Sequence, residues 1–309
     1  MISAIAMAMK GRHERTQSIA EFVSNLENRA NKSKQPVFKS GWLWAVVIAV
    51  AIVAIWLMVP FNKGASSDNS SNDSDSTPKI KTFYANGVSF DMVEVEGGTF
   101  RMGATSEQGS DYDFYKPIPV HSVTLSSYYI GKIEVTQALW RAVMGNNPSW
   151  FKGDNLPVEC VSWYDCQKFI RKLNALTGQH FRLPTEAEWK FACRGGNNSL
   201  GYKYSGSDNI DNVAWYTDNS GYTSYPVATK SPNELGIYDM SGNVWEWCSD
   251  WYGDYTSGAL TNPKGPESGS DRVIRGGYWN NDARCCRSTN RFDNAPSNRY
   301  EFLGLRLAL

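Results

Sequence analysis

The sequence predicts an irregular α+β domain with little regular secondary structure, preceded by one transmembrane helix. Three observations carry this. A 21-residue run with no ionisable side chain stands near the N-terminus, three helices with legible caps follow it, and short apolar runs alternate with Gly, Asn, Asp and Pro clusters over the rest of the chain.

The apolar run, residues 41–61, reads GWLWAVVIAVAIVAIWLMVPF. A bilayer core takes about 20 helical residues, so the segment is long enough to span. Trp42, Trp44 and Trp56 lie towards its ends, where indole favours the headgroup region. Residues 1–40 carry seven Lys/Arg against three acids, which keeps this leader cytoplasmic and places the C-terminal part outside the cytoplasm, periplasmic in a bacterium. A leader of this length before the run argues for an uncleaved signal anchor. Residues 62–82 form a Ser/Asn/Asp-rich stalk with too little apolar surface to offset chain entropy. Residues 83–309 are left as one domain with 21 basic and 25 acidic residues. The chain as a whole has zero formal net charge, which excludes a generally basic nucleic-acid binder.

Within the domain, Thr136 caps a helix that stops at Gly145, and Ser162 opens one that ends at Gly178. Thr185 and Glu188 make a capping-box pattern ahead of a third, which ends at Gly195 and Gly196. DMVEVEGGTF, HSVTLSSYYIG, DRVIRGGYW and LGLRLAL read as strands. Nine of the 12 Trp fall in the domain, as do all six cysteines: Cys160, Cys166, Cys193, Cys248, Cys285 and Cys286. An even number in an oxidising compartment predicts disulfide fastening, with 15 complete pairings open. Six arginines (Arg275, Arg284, Arg287, Arg291, Arg299 and Arg306) crowd the last 35 residues, interleaved with Asp271, Asp282, Asp293 and Glu301. Structural ion pairs are the reading that mixture favours.

Seven segments in order, EGGTFRMG (96–103), IEVTQALW (133–140), PVECVSW (157–163), FRLPTEAEWKFACRGG (181–196), GIYDMSGNVWEWCSDWYG (236–253), RVIRGGYWN (272–280) and LGLRLA (303–308), resemble the formylglycine-generating enzyme, or sulfatase-modifying factor, family. The resemblance implies a C-type-lectin-like domain stabilised by calcium. It also implies oxidation of a sulfatase cysteine to Cα-formylglycine with O2 and a copper(I) ion held by two cysteines. By the family pattern Gly-Gly-Ser, two residues, Cys, four residues, Cys, the Ser position here is Tyr278, the first Cys position is Asn281 and the second is Cys286. One thiolate of two is present, and an amide oxygen is a poor ligand for soft Cu(I). Cys285, if on a strand, points away from Cys286. A three-histidine iron site is excluded, because only His121 and His180 lie in the domain.

The resemblance further implies one calcium site at Asp239, Gly242, Val244 and Glu246, and a second at Asn212, Val213 and Asp218. Trp279, Asn281 and Arg284 are the candidates for a ligand-facing rim. Two functions stay open at this point. One is a calcium-stabilised module binding an extracytoplasmic protein, peptide or glycan; the other is an oxidase acting on a sulfatase, with Cys286 as its catalytic sulfur.

Overall fold

The computed structural model of the protein describes residues 79–105 and 119–309. The leader, the predicted span and most of the stalk lie outside the described residues. Among the described residues no helix is long and apolar enough to cross a membrane. Three residues assigned to the stalk belong to the domain, because the first strand starts at Ile80.

Among the described residues, three small sheets and four α-helices make a mixed α+β domain. β1 (Ile80–Ala85) pairs antiparallel with β2 (Val88–Val95), which pairs antiparallel with β5 (Tyr128–Gly131). β3 (Gly98–Met102) and β4 (His121–Leu125) form a second antiparallel pair, extended in parallel by β7 (Leu260–Thr261). The third sheet has the order β10-β6-β8-β9, built from β6 (Trp245–Trp251), β8 (Arg272–Arg275), β9 (Arg291–Asn294) and β10 (Leu303–Leu305).

The helices start where their caps predict. α1 (Gln137–Met144) begins after Thr136, whose hydroxyl accepts from the Leu139 amide. α2 (Trp163–Thr177) begins at a full capping box of Ser162 and Asp165, and α3 (Glu186–Cys193) at one of Thr185 and Glu188. A short α4 (Ile210–Val213) follows. α1 and α2 bury Leu139, Trp140, Phe169 and Leu173 in the cluster that also holds Trp247 and Leu305. α3 buries Ala187, Trp189 and Phe191 in a second cluster, against β2, β4 and β6.

The chain end knits these parts together. The backbone of Leu305, Leu307, Ala308 and Leu309 bonds to Val135, Gly131, Arg182 and Tyr129, while β10 runs parallel to β6. Arg306 lies in this strip with no exposed surface. Its guanidinium donates to both oxygens of the equally buried Glu246, at 2.7–3.1 Å, and to the carbonyls of Gly131 and Tyr238 at 2.8 Å. Trp189 Nε1 completes the shell of Glu246 at 2.6 Å.

The expected disulfides are absent: all six cysteines are free. Four of them are buried as small apolar side chains, Cys166, Cys193, Cys248 and Cys286, spread over three apolar clusters. Ion pairing supplies the fastening. It runs over longer distances than the interleaved acids suggested: Arg275 and Arg291 meet Glu186, Arg299 meets Asp165 and Arg306 meets Glu246, while Arg284 takes a local partner, Asp282.

Replacing one member of a buried pair strands the other charge, so Arg306→Met is expected to cost about 3–5 kcal/mol in urea denaturation. The double variant Arg306→Met/Glu246→Gln should recover part of that loss. Thr185→Ala removes one cap acceptor and should cost about 1 kcal/mol, with unchanged native fluorescence.

Candidate functional site

The segment Gly276–Cys286 corresponds to the copper loop of the resemblance. It opens on two glycines with positive φ, 103° and 81°. At Gly277 a Cβ would stand 2.8 Å from Cys286 Sγ, so the glycine backbone lies directly on the sulfur. Tyr278 to Asn281 then closes a turn: the Asn281 amide donates to Tyr278 O at 2.9 Å, and Asn281 Oδ1 accepts from the Tyr278 amide at 3.2 Å. The Asn281 carbonyl accepts from Thr217. Asp282 caps the next turn through the Arg284 amide and pairs with the Arg284 guanidinium at 2.8 Å.

Cys285 and Cys286 sit in this 3-10 turn, Ala283–Cys286, and not on a strand as expected. Neighbours in a 3-10 turn are about 120° apart around the axis, so the two sulfurs still diverge. Cys286 is fully buried and Cys285 half-buried. Burial, with Cys285 and Asp282 nearby, pushes the Cys286 thiol well above its ordinary range and keeps it protonated. A two-sulfur Cu(I) site needs paired thiolates on an open face. Here one position is an amide oxygen spent on closing a turn, and the other is a protonated thiol sealed under Gly277. These residues do not fit copper.

The loop packs on a second feature, the turn before β6. Gly242 donates to the Gly276 carbonyl at 2.9 Å, and Ser241 Oγ to the Cys286 carbonyl at 2.8 Å. The turn is tight, with φ of 59° at Asp239, 78° at Gly242 and 59° at Asn243. A Cβ on Gly242 would lie 2.2 Å from the Trp215 carbonyl, so no other residue fits there without a shift.

The four residues named for the first calcium site divide in this turn. Glu246 is taken up by Arg306 and Trp189. Asp239 Oδ2 accepts from the Ala228 amide at 2.7 Å. Gly242 and Val244 contribute backbone, and the Val244 amide faces a residue the sequence reading did not name, Glu134, at 3.2 Å. Glu134 also accepts from Asn243 Nδ2 at 2.7 Å. It lies in the quoted IEVTQALW segment, where a lone carboxylate among apolar residues was the available signal. Three buried carboxylates, Glu134, Asp239 and Glu246, thus face one guanidinium. Burial and the other two acids push Glu134 up, and burial pushes Asp239 up to about 6. An oxygen-seeking divalent cation is the chemistry such a charge excess accepts. Among the described residues no group of three or more His, Cys, Asp or Glu converges as a metal cage. An ion at this turn would therefore draw on Glu134, Asp239 and backbone carbonyls.

The second set is more dispersed. Asn212 and Val213 close α4, and the Asn212 carbonyl already accepts from Ser231 at 2.9 Å. Asp218 is exposed, whereas Asp211 is the carboxylate that meets Tyr216 and Asn219.

Of the rim candidates, Asn281 is half-buried, Arg284 is exposed and Trp279 is 7% exposed. Trp279 lies within an aromatic ladder. Phe151 meets Trp279 edge-on at 5.6 Å, Trp279 meets Tyr278 at 5.4 Å, Tyr278 meets Phe302 at 4.4 Å, and Phe302 stacks on Tyr300 at 4.9 Å. The ladder reaches solvent at Tyr300 and at Trp150, which adjoins Phe151 and is 74% exposed.

Comparison with known proteins accords with this architecture. The family described as sulfatase-modifying factor enzyme 1-like domain matches residues 80–309. The chaperone protein LppX of Paenibacillus barcinonensis is 36% identical over 242 residues, 62% of this chain and 79% of that protein. The formylglycine-generating enzyme of Mus musculus is 37% identical over 192 residues, 57% of this chain and 50% of the enzyme, so the chain spans half the length of that relative. Among solved structures, variable protein 1 of Treponema denticola superposes with a TM-score of 0.67 at 35% identity, over 75% of this chain and 99% of that one. From residue 80 to its C-terminus, the chain belongs to the sulfatase-modifying factor family, which includes the formylglycine-generating enzymes.

Proposed function

We propose that the protein is a membrane-anchored, extracytoplasmic binding or assembly module of C-type-lectin-like character, stabilised by calcium, that presents its aromatic ladder to a protein, peptide or glycan. The observation that carries this reading is the loss of the two-thiolate pair. Asn281 closes a turn where the first sulfur would stand, and Cys286 is sealed beneath Gly277. Two relatives carry names that are not those of oxidases: a chaperone protein and a variable protein.

The aromatic ladder supports the same reading. Trp and Tyr bring large contact area with few rotatable bonds, which is why they dominate interface energetics. Tyr300 is the exposed end of a stacked set, and Trp150, next to Phe151 in the chain, adds a second exposed aromatic side chain. The anchor and stalk of the sequence reading would hold this face outside the membrane.

Incubating the purified chain with a sulfatase-type cysteine peptide, Cu(I) and O2 is expected to leave the peptide mass unchanged. Formation of Cα-formylglycine that disappears in Cys286→Ser would return the chain to the oxidase reading. For calcium, the sign follows from Asp239. A carboxyl raised to about 6 contributes stability that is full below its ordinary value and is lost as pH rises through 6. That loss is about 2–3 kcal/mol by pH 7.5. In chelator, wild type should therefore lose stability relative to Asp239→Asn between pH 4 and 7.5. Millimolar calcium should restore wild type and leave the variant unmoved; equal pH slopes for both proteins would contradict the site.

A further inference from the structure

A cavity of about 360 Å³ lies between α3, β4 and the loop 253–266. Met102, Ala187, Leu260, Pro263 and Pro266 give it apolar walls. One side is electrically closed. Glu186 accepts from Arg291 at 2.8 Å through both oxygens and from Tyr255 at 2.9 Å, and Arg291 Nη1 donates to the Gly253 carbonyl at 2.7 Å.

The other side is not. Asp250 is 4% exposed and lines the cavity. Its Oδ2 accepts from the Glu186 amide at 3.0 Å and from Ser249 Oγ at 2.9 Å, while Oδ1 has no donor among the described residues. His121, 3% exposed, lines the same cavity. Its Nδ1 donates to the Pro119 carbonyl at 3.1 Å, which leaves Nε2 as an acceptor, again without a partner among the described residues. Two acceptors on buried residues thus line a cavity with largely apolar walls, and neither is met by a donor among the described residues.

We propose that this cavity binds a primary ammonium or guanidinium group carried on an apolar stem, with Asp250 Oδ1 and His121 Nε2 as acceptors and Met102, Ala187, Leu260 and Pro266 around the stem. Such a cation presents three to five N–H donors and needs a compensating buried charge, which Asp250 provides on ionisation. The faces of Trp251 and Tyr255 are not free for it, since Arg272 stacks on the first at 3.4 Å and Arg291 on the second at 4.3 Å. The shared chemistry has two sources, a Lys or Arg side chain of a partner peptide and a free amine.

The charges around Asp250 set the pH dependence. Glu186 and Glu188 face it from α3, Arg182 from the segment before α3, Arg272 from β8 and Arg291 from β9. Asp254 and Lys264 stand in the loop and His121 across the cavity. Burial, then Glu186, pushes the Asp250 carboxyl up to about 7. Binding of a cation requires the ionised form, so affinity should fall about tenfold per pH unit below that value.

Calorimetric titration of the full-length chain with n-butylamine, butylguanidine and butan-1-ol tests the proposal. At pH 8 the two cations are expected to bind at least tenfold tighter than the alcohol, and to weaken towards pH 5.5 while the alcohol does not. Asp250→Asn should remove the tenfold preference. Lys264→Glu, an exposed change among the lining residues that replaces a like charge with an opposite one and leaves the apolar stem contacts in place, should tighten amine binding several-fold. N-acetyl-lysine methylamide separates the sources: binding as tight as butylamine assigns the cavity to a peptide side chain, and binding of the small amines alone assigns it to a free amine. Equal affinity for amine and alcohol in the unaltered protein, or an amine affinity unmoved by both variants, would overturn the proposal.

Discussion

The buried pair of Glu246 and Arg306 is the constraint on which the rest of the domain depends. Removing two charges from water costs several kcal/mol each, and the pair is tolerable only because every face is satisfied. Arg306 reaches Glu246, Gly131 and Tyr238 at once, so β5, β6, β10 and the turn before β6 are positioned by one guanidinium. Trp189 brings α3 to the same carboxylate. A domain with short strands and long irregular stretches gains few ladder hydrogen bonds, and this polar centre specifies how its pieces meet.

That arrangement also determines what the neighbouring site can do. With Glu246 spent on Arg306, the acids left at the turn are Glu134, raised by burial and by Asp239 and Glu246, and Asp239, raised by burial and by Glu246. The same turn supports the floor of the Gly276–Cys286 loop through Gly242 and Ser241. A cation at the turn would therefore tighten the platform beneath the aromatic ladder without touching whatever the ladder binds. The route from metal to function in this reading is mechanical and does not involve a redox step.

Much of this was legible in the sequence, because local signals and tertiary demands agree there. Thr136, Ser162 and Thr185 cap their helices as their spacing predicts, and the four apolar runs became strands. β6 was not legible: WEWCSDW is buried on both faces and shows no alternation. β9 and β7 are short and polar, and only pairing makes them strands. Arginine content announced ion pairs, but partners such as Glu186 and Asp165 lie more than 85 residues away in the chain, where no spacing rule reaches. Cysteine count misled, since the buried thiols serve as apolar packing, and strand alternation was the wrong geometry for Cys285 and Cys286. Glu134 was hidden because its partners come from a turn about 110 residues away.

In the proposed function the family scaffold is kept and its copper chemistry is given up. The most direct measurement is an anaerobic Cu(I) titration of the reduced full-length chain against a chromophoric Cu(I) chelator, in wild type and in Cys286→Ser. The account predicts that the chelator keeps its copper and that the two proteins give the same curve. One equivalent withdrawn by wild type and not by Cys286→Ser would contradict it.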